Sequence, residues 1–286
     1  MVRGDDIGNA RVQRHEREDR VYTSMRLISR GFLVLALISP AFALAQTGWQ
    51  SSGASGGLHA EAGQIFALAN QARAQAGVGQ LQWDPALAAA AMQHCQRMAA
   101  EGPIAHRYGG EADVSGRAAQ AGAHFSIIEE NVAVGPSANR IHEQWMQSPG
   151  HRENLLSPDV DHVGVAVVAA RGVFYAVADY SRAVQQLSAA QVEARVGAMV
   201  YAGGVTIARD PAPAREACAL DEGMPRSAGA PPGFLMRWQD ADLRKLPAAL
   251  NEKLATGRYR VAVVGACPAH GDVGAFTAYR VAVLLY

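Results

Sequence analysis

The sequence predicts an α+β protein: a three-layer α/β/α sandwich with a central antiparallel sheet, then a smaller C-terminal α/β unit. Three observations carry this. Apolar residues recur at helical spacing through much of the stretch from residue 58 to 147. Val163, Val165 and Val167, then Val173, Tyr175 and Val177, alternate with other residues on either side of Arg171-Gly172, the pattern of a β-hairpin. From Ser188 onward helical and strand periods return once more. Helices followed by a hairpin, rather than strands alternating with helices, argue against a doubly wound parallel sheet. A length of 286 residues allows one or two folded units, and 49% apolar against 18% charged residues is enough to build cores.

Residues 1–45 read as a segment outside the fold. Arg26 and Arg30 precede the apolar run Phe32 to Ile38, and Ala43-Leu44-Ala45 supplies a small-x-small site. This is the layout of a secretory signal peptide cleaved after Ala45, with Met25 a better start than Met1. The apolar run is short against the ~20 residues a span needs, so no transmembrane segment is expected in the mature chain. Export, secreted or periplasmic, places the protein where disulfides persist. Residues 46–57 are rich in Gly and Ser and read as a flexible linker. They contain a formal G-x-S-x-G at Gly53–Gly57, but that motif exposes its serine only between a strand and a helix, and no strand precedes it.

The first unit is expected over 58–183. Ile65, Leu68, Ala69 and Ala72 mark a helix over 58–76, closed by Gly77. Asp84 and Pro85 are natural N-cap and first helical residues for a second helix, which stops at Gly102-Pro103. A short helix is expected over 115–121, capped by Ser115, and a fourth after Ser137, carrying Ile141 and Trp145 and interrupted at Pro149. The hairpin strands follow over 162–169 and 173–181. The second unit covers 184–286. Ser188 with Gln191 forms a capping-box pattern, 209–232 reads as a long loop, and Phe234 to Trp238 as a strand. Leu243, Leu246, Leu250 and Leu254 share one helical face, and strands follow over 259–266 and 275–286. No internal repeat is visible in the residues.

Composition excludes several functions. Lys plus Arg number 26 and Asp plus Glu 26, and no basic run with interleaved aromatics follows the leader, so no nucleic-acid partner is expected. His142-Glu143 fails as H-E-x-x-H because Met146 stands where the second His belongs, and there is no Walker loop. Cysteines at 95, 218 and 267 allow no C-x-x-C. Cys218 and Cys267 can bridge within the second unit, closing a loop worth about 3–4 kcal/mol, which leaves Cys95 a buried thiol. Six of the nine histidines lie between residues 94 and 162. Among them His106 follows a helix end, His151 stands in Ser148-Pro149-Gly150-His151-Arg152, and Glu129-Glu130-Asn131 lies between them. Imidazoles and a carboxylate together can share a proton, hold water or bind a divalent metal.

Residues 58–183 resemble the CAP superfamily of cysteine-rich secretory, antigen 5 and pathogenesis-related proteins, and most closely its bacterial SCP-like branch. The matching pieces occur in order: Asn70 and Arg73, Leu81-Gln82-Trp83-Asp84, His94 with Met98, His106, Glu130-Asn131-Val132-Ala133-Val134-Gly135, Trp145 through Leu156, and Val163-Gly164-Val165. Residue 129 is Glu where the family usually has Gly. The C-terminal hundred residues carry no such resemblance.

The resemblance implies a cleft lined by two histidines and two acids. Carried over, these are His106, Glu130 and His151, while the fourth place falls on Ser148. Glu111, in the loop after His106, is the best replacement acid; Glu143 points away from the cleft, roughly 200° round the helix from Trp145. The implied role is binding of a small molecule, a lipid or a metal such as Zn²⁺ by His106, His151 and Glu130. Two other roles remain open: a metal-assisted or acid–base hydrolase with Glu130 as base, and a scaffold whose C-terminal sheet binds a partner.

Overall fold

A computed structural model of the chain describes residues 52–269 and 274–286. The expected leader and its cleavage site lie outside the described residues. The first unit contains helices α1 (Ser52–Gln75), α2 (Pro85–Glu101), α3 (Val114–Gln120), α4 (Ala138–Gln147) and α5 (Pro149–Leu156), with strands β1 (Gln82–Trp83), β2 (Phe125–Gly135), β3 (His162–Ala170) and β4 (Val173–Ala183). The sheet order is β1-β3-β4-β2, antiparallel except for the short β1–β3 pairing. One core joins α1, α4 and α5 to one face through Ile65, Ile141, Trp145 and Leu155; the other joins α2 to the opposite face through Ala91, Cys95 and Met98. The expected α/β/α layering is therefore present.

Local chemistry explains most of these elements. Asp84 Oδ1 accepts from the backbone N–H groups of Ala86 and Leu87, satisfying two orphan donors at the start of α2. Arg171 and Gly172 both take positive φ, the backbone a two-residue turn between twisted strands requires. Arg73 is 1% exposed and spends its guanidinium on the carbonyls of Gly79, Leu155, Ser157 and Val160, pinning the end of α5 to α1. Asn70 brackets Leu81 by hydrogen bonds to its N–H and from its own amide to the Leu81 carbonyl.

Several expectations need correction. α1 begins at Ser52, inside the segment expected to be a linker, because each residue added to a formed helix gains a backbone bond without a new nucleation cost. The cap of α3 is Asp113, not Ser115; Asp113 Oδ1 accepts from the Gly116 N–H and the Ser115 hydroxyl. β2 departs from the expectation because Glu129-Glu130-Asn131 interrupt its apolar pattern, and Pro149, expected to interrupt α4, opens α5. Proline is equally suited to a first turn, where its missing N–H has no partner to lose.

The second unit contains α6 (Ala189–Ala202), β5 (Thr206–Ile207), α7 (Ala212–Ala219), β6 (Phe234–Asp240), α8 (Ala248–Ala255), β7 (Val261–Cys267) and β8 (Tyr279–Leu285). The capping box at Ser188 and Gln191 is present. α7 lies in the expected long loop; Pro211 and Pro213 fall at its start, where proline is tolerated. Leu243 and Leu246 precede α8 rather than belonging to it, since Pro247 sets its beginning, yet both are buried in the same core as Leu250 and Leu254. Cys218 and Cys267 form a disulfide and Cys95 is a buried free thiol.

The sheet order here is β5-β7-β8-β6, with β5 parallel to β7 and the other pairs antiparallel. This is the order and direction of the first sheet. The layering matches as well: α6 and the Leu250 face of α8 cover one side, α7 the other. Gly164 on β3 and Gly265 on β7 each lie against a helix that starts Asp-Pro-Ala. A Cβ at Gly164 would stand 2.0 Å from the Ala88 nitrogen, and one at Gly265 2.2 Å from the Arg215 nitrogen. One architecture thus occurs twice in the chain, although no repeat is visible in the residues. Phe276, between β7 and β8, joins the units, its ring centroid 5.3 Å from that of Phe125 while the Thr277 N–H donates to the Phe125 carbonyl.

Candidate functional site

Among the described residues strand β2 lies at the sheet edge, paired with β4 alone, and alternate residues face opposite layers. Glu130 points toward α2 and α3. Its Oε1 is 2.8 Å from His106 Nδ1, and its Oε2 accepts a hydrogen bond from Arg117 of α3. His94 Nε2, from α2, stands 4.0 Å from the same Oε2. The Glu130 and Arg117 side chains are each only 3% exposed, while that of His106 is 56% exposed. The cluster therefore has a buried ionic floor and a solvent-facing imidazole.

His151 reaches this place through α5. Asn131 donates to the His151 carbonyl, and Asn154 donates to the Glu130 carbonyl and to Asn131 Oδ1. These bonds fasten α5 along the free edge of β2. Burial, with the neighbouring His106 charge, lowers the His151 pKa, which favours its neutral imidazole.

Glu111 is reached through His94: His94 Nδ1 lies 2.8 Å from Glu111 Oε1, and His94 Nε2 lies 2.8 Å from the Ala105 carbonyl. Glu111 Oε2 also accepts from the Tyr108 N–H. The pair holds the loop that presents His106. Ser148 is the N-cap of α5 and its side chain makes no capping bond. Glu143 faces away, paired with Arg140.

The residue reading missed His94 as a site member, and it missed Arg117 and Asp179 altogether. Asp179 on β4 is the cross-strand neighbour of Glu130 and is fully buried. Neither of its oxygens has a hydrogen-bond partner. Burial, then the Glu130 charge, pushes Asp179 well above the usual carboxylate range, which favours its neutral form beside Glu130. For Glu130, burial alone raises the pKa, but the hydrogen bond from His106 and the Arg117 and His94 charges outweigh it, and the net shift is downward. A lone acid inside the apolar run Tyr175-Ala176-Val177-Ala178-Asp179-Tyr180 is the signal that could have pointed to Asp179.

This donor set does not fit a zinc ion. Both Glu130 oxygens have partners, and the Arg117 guanidinium already supplies a positive charge there. Among the described residues no three His, Cys, Asp or Glu side chains converge as metal ligands. The arrangement is a buried, hydrogen-bonded carboxylate with the His106 imidazole facing solvent above it.

Residues 66–180 match the model of the cysteine-rich secretory protein family, CAP. The chain is 34% identical over 111 residues to an uncharacterized membrane protein of Bacillus subtilis, YlbC, covering 36% of this chain and 30% of that protein. It is 29% identical over 115 residues to an uncharacterized protein of the same organism, YkwD, covering 39% and 44%. The chain thus spans less than half the length of either relative. Among solved structures, similarity is found to an extracellular protein containing an SCP domain from Bacillus anthracis, with TM-score 0.40 and 26% identity over 43% of this chain and 41% of that one. An outer surface protein of Borrelia burgdorferi matches with TM-score 0.40 and 21% identity, over 42% and 90%.

Proposed function

We propose that this chain, whose residues 66–180 match the CAP family model, is an exported binding protein that holds a small polar molecule against His106, Glu130 and His151 without turning it over. The observation that carries this reading is the state of Glu130. Its two oxygens are held by His106 and Arg117, and its charge is stabilised. A general base works best with a pKa near the operating pH and a lone pair free to accept a proton. Glu130 is held away from both conditions, and no Ser, Thr or Cys nucleophile belongs to the cluster. What the cluster offers a guest is the half-exposed His106 ring and the His151 ring beside it, with hydrogen-bonding capacity on a rigid floor.

Export is supported by the Arg26/Arg30, apolar and Ala-Leu-Ala pattern and by the Cys218–Cys267 disulfide. No helix among the described residues is long and apolar enough to cross a membrane.

Native mass spectrometry of the exported chain tests the reading. The expected result is a mature N-terminus at Gln46 and a small organic mass adduct that Glu130→Gln and His106→Ala lose. A chain that stays free of adducts and consumes peptide or cell-wall substrates in a Glu130-dependent way would replace binding by hydrolysis. Calorimetry with Zn²⁺ at pH 7.5 covers the metal alternative. Uptake abolished by His106→Ala and His151→Ala, but kept by His124→Ala and His162→Ala, would make the guest a metal ion.

A further inference from the structure

Glu129, next to Glu130 on β2, points to the other face of the sheet. There it lines a cavity of about 790 Å³ between the edge of β2, the end of α4 and the whole length of α5. This size falls in the range of small-molecule pockets, roughly 300–1,000 Å³. The wall is mixed. Met146 and Leu156 give it an apolar side, while Glu129, Glu153 and Asp159 give it three carboxylates. Arg152 is the one cation in the lining. Behind the wall Arg73 is tied to four backbone carbonyls, one of them Ser157 in the lining, which makes this end of the cavity rigid.

One detail indicates what the cavity lacks. Glu129 Oε2 is shielded from solvent and has no hydrogen-bond partner. A buried, unsatisfied carboxylate oxygen costs several kcal/mol unless a donor or cation meets it. Glu153 and Asp159 repel it, and Arg73 is the one cation acting on it from behind. An ammonium or guanidinium in the cavity would offset this repulsion, and a turn of the Glu129 side chain would bring Oε2 onto it as the missing donor's acceptor. Its hydrocarbon part would lie along Met146 and Leu156, as long cationic side chains lay their stems on apolar surface.

We propose that this cavity, on the opposite face of β2 from the Glu130 carboxylate and His106, is a second binding site for an organic cation with a hydrocarbon body. Glu129 and Glu130 face opposite sides of β2, while α5 carries His151 of the first site and lines the second with Pro149, Arg152, Glu153 and Leu156. Specificity comes from the half-buried Glu129 in the wall, with Glu153 and Asp159 setting the sign of the charge at the mouth. Arg152, exposed at the rim, opposes the cation and limits its affinity.

Three probes with one tail and three heads test this on the full exported chain: octylammonium, octanoate and 1-octanol, each titrated calorimetrically at pH 7.5. Octylammonium is expected to bind at least tenfold more tightly than octanoate. Glu129→Gln and Glu153→Gln should each weaken octylammonium several-fold and leave 1-octanol unchanged, while Arg152→Gln should tighten octylammonium. His106→Ala should leave octylammonium binding as it is, which separates this site from the first. A lysine-containing tripeptide that binds as tightly as octylammonium would identify a basic peptide side chain as the source of the cation; a tripeptide that fails would identify a free amphiphile. Octanoate binding as well as octylammonium, Glu129→Gln without effect, or no uptake of any probe would overturn the proposal.

Discussion

In the first unit Gly164, Asp179 and Glu130 lie side by side across β3, β4 and β2; in the second, the same three places on β7, β8 and β6 hold Gly265, Ala282 and Arg237. The glycine is kept because a helix backbone leaves no room for a Cβ in either unit. The two acids are not. Arg237 turns its guanidinium to the carbonyls of Ala217 and Gly223, so it closes the end of α7 instead of forming a polar floor. Between the second helix and the edge strand the first unit has the His106 loop and α3, which deliver His106 and Arg117. The second has a segment anchored by the Cys218–Cys267 disulfide, at the end of α7. The architecture thus needs a tight helix-on-sheet contact, while the His106–Glu130 cluster needs a charged tier and a loop to complete it.

The largest expected effect is on the charged tier. Glu130→Ala strands the buried Arg117 and should cost about 3–5 kcal/mol in urea unfolding. Arg237→Ala, whose partners are neutral carbonyls rather than a buried charge, should cost less, about 1–3 kcal/mol. Equal losses would mean that the two places do equivalent work. The disulfide comes next. Cys218→Ser with Cys267→Ser should remove about 3–4 kcal/mol. Hydrogen exchange should show lost protection at 212–219 and 261–267, with β2, β3 and β4 hardly changed. Loss spread evenly over both units would show that they unfold as one.

Gly164→Ala and Gly265→Ala follow, each at the upper end of about 1–3 kcal/mol, because the atoms met are helix backbone rather than flexible side-chain tips. A neutral Gly265→Ala would break the equivalence of the two glycines. The smallest effect is electrostatic. Burial, then repulsion by Glu153 and Asp159, raises the Glu129 pKa from 4.5 to about 7. The folded chain therefore binds more protons than the unfolded chain between those values, and stability falls as pH rises through that window. Allowing for solvent screening, the effect is on the order of 1–2 kcal/mol. Glu129→Gln should remove this slope and raise the melting temperature at pH 7.5 but not at pH 4. The equivalent place in the second unit is Met236, which carries no such penalty.

Elements with local chemistry were legible without coordinates. Asp84-Pro85, Ser137 and the Ser188–Gln191 box set helix starts through bonds to residues two or three positions away. The hairpin around Arg171-Gly172 is similarly local. The edge strand β2 was not legible, because both its faces are covered and its polar run breaks the alternation on which a strand is recognised. α5 and α7 hid behind prolines that start helices as readily as they end them.

The sequence by itself therefore determined the local starts and turns, the pairing of Cys218 with Cys267, and the candidates His106, Glu130 and His151. Only the tertiary structure decided that His94, Arg117 and Asp179 surround Glu130, since they come from α2, α3 and β4 and meet through burial rather than spacing. It also decided that the last hundred residues repeat the first architecture. Strand order is a property of pairings between distant segments, and only the close contact at Gly164 and Gly265 leaves a trace of it in the residues.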